Sequence, residues 1–225
     1  MKVFYTKVAL NTYLDTHKKN KQIGFIPTMG ALHEGHLSLL KKCNEENDIS
    51  VVSIFVNPTQ FDNPADLLKY PKTFQDDTKI LESAQCDVLF APDVKEIYAE
   101  NITATSFDFE GLEHEMEGRF RIGHFDGVGT VVKRLFEIVA PNKAYFGEKD
   151  FQQLQIVKKM TKKQQLPVKV KGCKIYRAKN GLAMSSRNSR LTEAHLEAAP
   201  FIFKILQKAK IEFRTKTPNA IIKWV

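Results

Sequence analysis

The tightest constraint on this sequence is a set of short apolar runs that have no polar face. Ile23-Gly24-Phe25-Ile26 is halted by Pro27, and Val51-Val52-Ser53-Ile54-Phe55-Val56 by Asn57-Pro58. Asp87-Val88-Leu89-Phe90 is halted by Ala91-Pro92, and Ala144-Tyr145-Phe146 by Gly147. A strand that is apolar on both sides must be covered on both sides, as in a parallel sheet packed between helices. Helical spacing of apolar residues lies between and after these runs. It covers His36 to Asn47, Phe74 to Gln85, Val128 to Val139 and Phe151 to Met160. Strand alternating with helix predicts an α/β fold with a doubly wound parallel sheet.

The pattern changes near Gln164-Gln165-Leu166-Pro167. Val168-Lys169-Val170-Lys171 alternates apolar and basic residues, as a half-exposed strand does. A loop at Ala178-Lys179-Asn180-Gly181 follows, then a helix from about Thr192 to Ile211, interrupted near Pro200. The reading is one domain over 1–167 and a small α+β domain over 168–225, too thin to hold a large core of its own. Charge is also unevenly spread. Residues 1–132 hold 13 basic and 20 acidic side chains, whereas 133–225 hold 21 basic and 6 acidic. The second part should attract polyanions, either nucleic acid or a nucleoside triphosphate. No apolar run approaches the ~20 residues of a bilayer span, and the start of the chain has no signal-peptide apolar region. Cys43, Cys86 and Cys173 lack Cys-x-x-Cys spacing. They read as reduced thiols of a cytoplasmic protein, without a zinc site or disulfide framework.

Four segments could carry chemistry. Met29-Gly30-Ala31-Leu32-His33-Glu34-Gly35-His36 follows a strand and opens a helix, whose free N–H groups favour anions. His33 and His36 share one face of a helical turn and can donate to phosphate oxygens. Zinc would need a third ligand, and none is evident. Asn57 and Gln60 follow the second strand, with amides suited to a hydroxyl or carboxylate. Gly147-Glu148-Lys149-Asp150 follows the fourth strand and leads into Gln152 and Gln153, and a lysine on such a turn suits phosphate. Met184-Ser185-Ser186-Arg187 places two hydroxyls and a guanidinium on a loop in the basic region. Asp76-Asp77 could offer oxygens to Mg²⁺, or be a solvated helix face. Lys158, Lys159, Lys162 and Lys163 could form a nucleic-acid stripe, but aromatic residues are scarce beside them.

Taken in order, these segments resemble the pantoate–β-alanine ligase family of the nucleotidyltransferases marked by His-x-Gly-His. The matching text begins with Pro27-Thr28-Met29-Gly30 running into His33-Glu34-Gly35-His36, then Phe55-Val56-Asn57-Pro58-Thr59-Gln60-Phe61. Tyr70-Pro71, Asp76-Asp77 and Gly123-His124-Phe125 follow, the last with Gly127-Val128. Phe146 to Leu154 and Gly181 to Asn188 complete the set. The resemblance implies a Rossmann-like sheet with a small carboxyl-terminal lid. It implies ATP-dependent joining of pantoate to β-alanine through pantoyl adenylate, with Mg²⁺, in a cytoplasmic homodimer. No nucleic acid or membrane partner is implied.

By the same resemblance, Met29 to His36 and Gly147 to Asp150 hold ATP. His36 is the catalytic histidine, with His33 beside it and Lys149 on phosphate. Tyr176 contacts adenine through its backbone. Met184, Ser185, Ser186 and Arg187 close over the nucleotide, with Arg187 on the triphosphate. Gln60 and Gln153, with Asn57, hold pantoate, and Asp76 and Asp77 lie near the metal. The sequence departs from the family at Ile122 and Ala99, where proline is usual, and in the short stretch beyond Arg187. Two other readings stand beside this one: an adenylyltransferase that stops at adenylyl transfer, and a basic nucleic-acid-binding protein.

Overall fold

The computed structural model describes residues 1–61, 63–99 and 101–225. Its six strands are β1 Lys2–Phe4, β2 Ile23–Thr28, β3 Ile49–Ile54, β4 Val88–Phe90, β5 Lys143–Gly147 and β6 Lys169–Cys173. They form one sheet in the order β1-β4-β3-β2-β5-β6, and every pair is parallel. The helices of the first half are α1 Lys7–Asp15, α2 Glu34–Glu46, α3 Pro64–Leu68, α4 Phe74–Ser83, α5 Val94–Tyr98 and α6 Met116–Phe120. Those of the second are α7 His124–Val139, α8 Phe151–Lys163, α9 Glu193–Ala198, α10 Pro200–Glu212 and α11 Pro218–Trp224.

The doubly apolar runs are explained by the two faces of the sheet. Phe25, Val51, Val88 and Ala144 share one core with Leu10 and Leu14 of α1, Leu135 of α7 and Val157 of α8. Their chain neighbours Ile26, Val52, Leu89 and Tyr145 point the other way. They pack with Leu39, Leu40 and Cys43 of α2 and Leu81 of α4. Each fully buried aliphatic or aromatic side chain contributes about 1.5–3 kcal/mol through removal from water.

Sequence and structure differ in two places on the sheet. β1 has only three residues and too little pattern to be seen as a strand, yet it pairs with β4 in register Lys2 to Val88. β6 lies past the boundary expected at Pro167, but it pairs with β5 from Lys143–Lys169 to Gly147–Cys173. The sheet therefore runs on to Cys173. The alternation of Lys169 and Lys171 with Val170 marks an edge strand, where exposed lysines discourage further strand pairing. Beyond β6 come one antiparallel bridge, Arg177 to Ala183, and α9 to α11. The helix expected over Thr192 to Ile211 is divided at Ala199, with Pro200 opening α10.

The sheet winds outward in two directions from β2. β3 and β4 lie on one side, β5 and β6 on the other. The connections after β2 and after β5 thus diverge and leave a crevice at the carboxyl ends of these two strands. A second wall comes from α7, which packs on the 3₁₀ turn Pro58–Gln60. Gly127 permits that approach, since a Cβ there would lie 2.3 Å from the Thr59 carbonyl oxygen. Gly127→Ala should cost about 1–3 kcal/mol by forcing α7 off this turn, read as a lowered urea midpoint at unchanged slope.

Candidate active site

The crevice is a cavity of about 600 Å³ at the ends of β2 and β5. Met29, His33, Gly35 and His36 reach it from the end of β2 and the start of α2. Gly147, Lys149, Asp150 and Gln153 reach it from β5 and the start of α8, and Asn57 and Gln60 from beyond β3. Tyr176, Met184, Ser185, Ser186 and Arg187 close the far side. Met184 Cβ lies 3.4 Å from where a Cβ on Gly35 would stand, so the carboxyl-terminal loop rests on the start of α2. Gly30, Ala31, Leu32, Glu34 and Glu148 do not line the cavity among the described residues.

The two histidines hold each other in place. His33 caps α2, and its Nδ1 accepts the Gly35 N–H at 3.1 Å. His36 Nδ1 accepts the His33 N–H at 3.3 Å, and the rings lie 4.1 Å apart. With Nδ1 accepting in both, the neutral ring carries its proton on Nε2. Burial, then the neighbouring His33, then the Lys149 ammonium push the His36 value down to about 3. Burial first and Lys149 second lower that of His33 as well. At neutral pH the histidine pair therefore offers neutral Nε2–H donors, with Lys149 as the neighbouring cation.

Asn57 and Asp77 do other work than expected. Asn57 is 1% exposed. Its Nδ2 donates to Gln60 Oε1 and to the Gly127 carbonyl, both at 3.1 Å. Its Oδ1 accepts the Tyr98 hydroxyl at 2.6 Å and the Thr59 hydroxyl at 3.2 Å. Both donors and both acceptor positions are spent, so Asn57 orients Gln60 and is not itself a substrate contact. Asp77 is also 1% exposed. Its Oδ1 accepts the Leu32 N–H at 2.7 Å, and its Oδ2 accepts the Ala31 N–H at 2.9 Å and the Thr73 hydroxyl at 3.1 Å. This holds a left-handed loop, with φ of 83° at Gly30 and 51° at Ala31. Ala31 and Leu32, expected among the ATP-holding residues, spend their N–H groups on Asp77. Asp76 is 74% exposed and lies 3.8 Å from Lys79. The aspartate pair therefore does not fit a bound ion. Among the described residues no group of three or more His, Cys, Asp or Glu side chains suits one.

Several contributors carry no spacing signal. Gln152 is buried, and its Nε2 donates to the carbonyls of Leu112 and Glu115 while its Oε1 accepts the Glu117 N–H. It thereby ties α6 to the wall of the cavity. Arg121 Nη2 and His124 Nδ1 both donate to the Gln60 carbonyl, at 3.3 and 2.8 Å. Two of the four stripe lysines are paired within the chain: Lys159 with Glu110, and Lys163 with Asp108 and Glu110.

A family model described as Pantoate-beta-alanine ligase matches residues 2–224. The chain belongs to the pantoate–β-alanine ligase family. It is 52% identical over 227 residues to the pantothenate synthetase of Flavobacterium psychrophilum, covering 100% of this chain and 80% of that protein. A solved pantothenate synthetase from Thermus thermophilus superposes with a TM-score of 0.92 at 39% identity, covering 99% of this chain and 80% of that one. The ligase from Francisella tularensis, solved with beta-gamma ATP and β-alanine, gives 0.88 at 42% identity, covering 92% and 79%.

Asp77→Ala should lose about 3 kcal/mol of stability, because it strands two backbone N–H groups, and the loss should be the same with and without Mg²⁺ in urea titrations. A second prediction concerns pH. The unfolded His36 takes up a proton near pH 6.5, whereas the folded one resists down to about 3. Stability is therefore lost as pH falls through that window, and His36→Gln should flatten the fall between pH 7 and pH 4.

Proposed function

We propose that this cavity joins pantoate to β-alanine at the expense of ATP, giving pantothenate, AMP and pyrophosphate. The observation that carries the reading is the convergence of the His33–His36 helix start, Lys149 and the two amides of Gln60 and Gln153 on one crevice, in a chain of this family. A carboxylate is a poor electrophile, so it must be activated before an amine can attack it. A pantoate oxygen forms a bond to the α-phosphorus, and the bond to the bridging oxygen breaks to release pyrophosphate. The β-alanine nitrogen then attacks the carbonyl of the adenylate, releasing AMP and a proton.

Each residue role follows from what the transition state requires. Negative charge grows on the α-phosphate and on the leaving pyrophosphate. Nε2–H of His36, with that of His33, donates to these oxygens without becoming charged. Lys149 supplies the positive charge. Gln60, set by Asn57, orients pantoate together with Gln153. Tyr176 and the Met184–Arg187 loop cover the nucleotide as a lid over the acyl adenylate and keep water from it. Magnesium enters as part of the MgATP substrate, held by phosphate oxygens and water, since Asp77 is committed to its own loop. A cytoplasmic homodimer is the proposed working form. The resemblance supports the dimer, and the three unpaired thiols support the compartment.

AMP release should require ATP, pantoate and β-alanine together, and Lys149→Ala should lower kcat by about a hundredfold or more with an unchanged melting curve. Sustained pyrophosphate release from ATP and pantoate, with no AMP when β-alanine is added, would instead indicate an enzyme that stops at adenylyl transfer.

A further inference from the structure

The loop that carries Arg187 is clasped to α3. Arg187 Nη2 donates to Asp66 Oδ2 at 2.9 Å, and Arg190 Nη1 donates to Asp66 Oδ1 at 2.9 Å. Arg190 Nη2 also donates to the Lys69 carbonyl at 3.0 Å. The Arg187 guanidinium carbon stands 5.9 Å from the centre of the Tyr70 ring. Asp66 lies on α3, 121 residues away from Arg187 in the chain. Tyr70 and Arg187 both line the cavity, so the clasp adjoins its wall.

The two guanidiniums share one carboxylate unequally in function. Arg187 faces the cavity, where it is also the loop's only cation lining the wall. Arg190 does not line the cavity and has a second grip on the Lys69 carbonyl. When Arg187 leaves, Asp66 still has Arg190, so release strands no charge. A triphosphate offers more negative charge and more acceptor oxygens than a carboxylate, which favours the exchange.

We propose that Asp66 is an internal competitor of the nucleotide for Arg187. Its carboxylate occupies the guanidinium until the triphosphate displaces it, and Arg190 retains Asp66 through the exchange. Asp66 thereby sets the affinity for ATP without touching it. The inference rests on the proposal that the triphosphate enters this cavity beside Arg187.

The test is MgATP binding measured by calorimetry in the absence of pantoate, with melting curves as the folding control. Asp66→Asn releases Arg187 and should tighten binding about two- to fivefold, the range expected for a partly exposed ion pair. Arg190→Gln gives the undivided carboxylate to Arg187 and should weaken binding by a similar factor. A general loosening of the rim would weaken both variants. Wild-type binding with either shift missing or reversed overturns the competitor role. Absence of wild-type binding would instead count against the ligase reading itself.

Discussion

The site depends on β2 being paired on both edges, with β3 on one side and β5 on the other. Those pairings send the connections after β2 and β5 away from each other and open the crevice between them. Neither helix start alone could hold a nucleotide and an acyl substrate. The pairing sets Met29 to His36 beside Gly147 to Asp150, segments more than a hundred residues apart in the chain. Packing of α7 on the 3₁₀ turn after β3 then fixes the second wall. Gly127 is the point where that packing has no spare room.

Electrostatics at the crevice follow from where the charges are placed. Both imidazoles stay neutral because burial and Lys149 oppose a second and third positive charge. They remain donors, since each Nδ1 is occupied by a backbone N–H. The permanent cations lining the cavity include Lys149 and Arg187, which belong to segments far apart in the chain. Lys149 lies 3.5 Å from its chain neighbour Asp150, and Arg187 is held by Asp66. The basic surplus of the second half is distributed elsewhere. Lys159 and Lys163 serve acidic residues of the 108–110 segment, and Lys143 and Lys171 serve Glu46. Ion pairs within the fold thus take up part of the basic surplus that a charge count reads as a polyanion surface.

Most of the sheet was legible in the sequence, because strands covered on both faces leave runs without polar alternation. β1 escaped because three residues cannot show a period. β6 was seen as a strand but assigned to the wrong body, because alternation reports a half-exposed strand and not its neighbour. The histidine pair, Lys149, Gln60 and Gln153 were legible because each follows a strand end, where a parallel sheet presents its ligand-facing loops. Asn57 and Asp77 were read as ligand groups. Amides and carboxylates look the same in sequence whether they face a substrate or a backbone N–H. Gln152, Arg121 and Asp66 act through partners far away in the chain, so no local spacing marks them.

By itself, then, the sequence determined the α/β class, the strand ends that carry chemistry and the family to which the chain belongs. Those properties are local: apolar runs, turn residues and ordered motifs are written in consecutive residues. The tertiary structure alone decided which polar groups remain free for a ligand. Asn57 is fully hydrogen-bonded inside the protein, Asp77 holds two backbone N–H groups, and Arg187 is shared with Asp66. Availability of a polar group depends on its partners, and the long-range ones here lie 41 to 121 residues away.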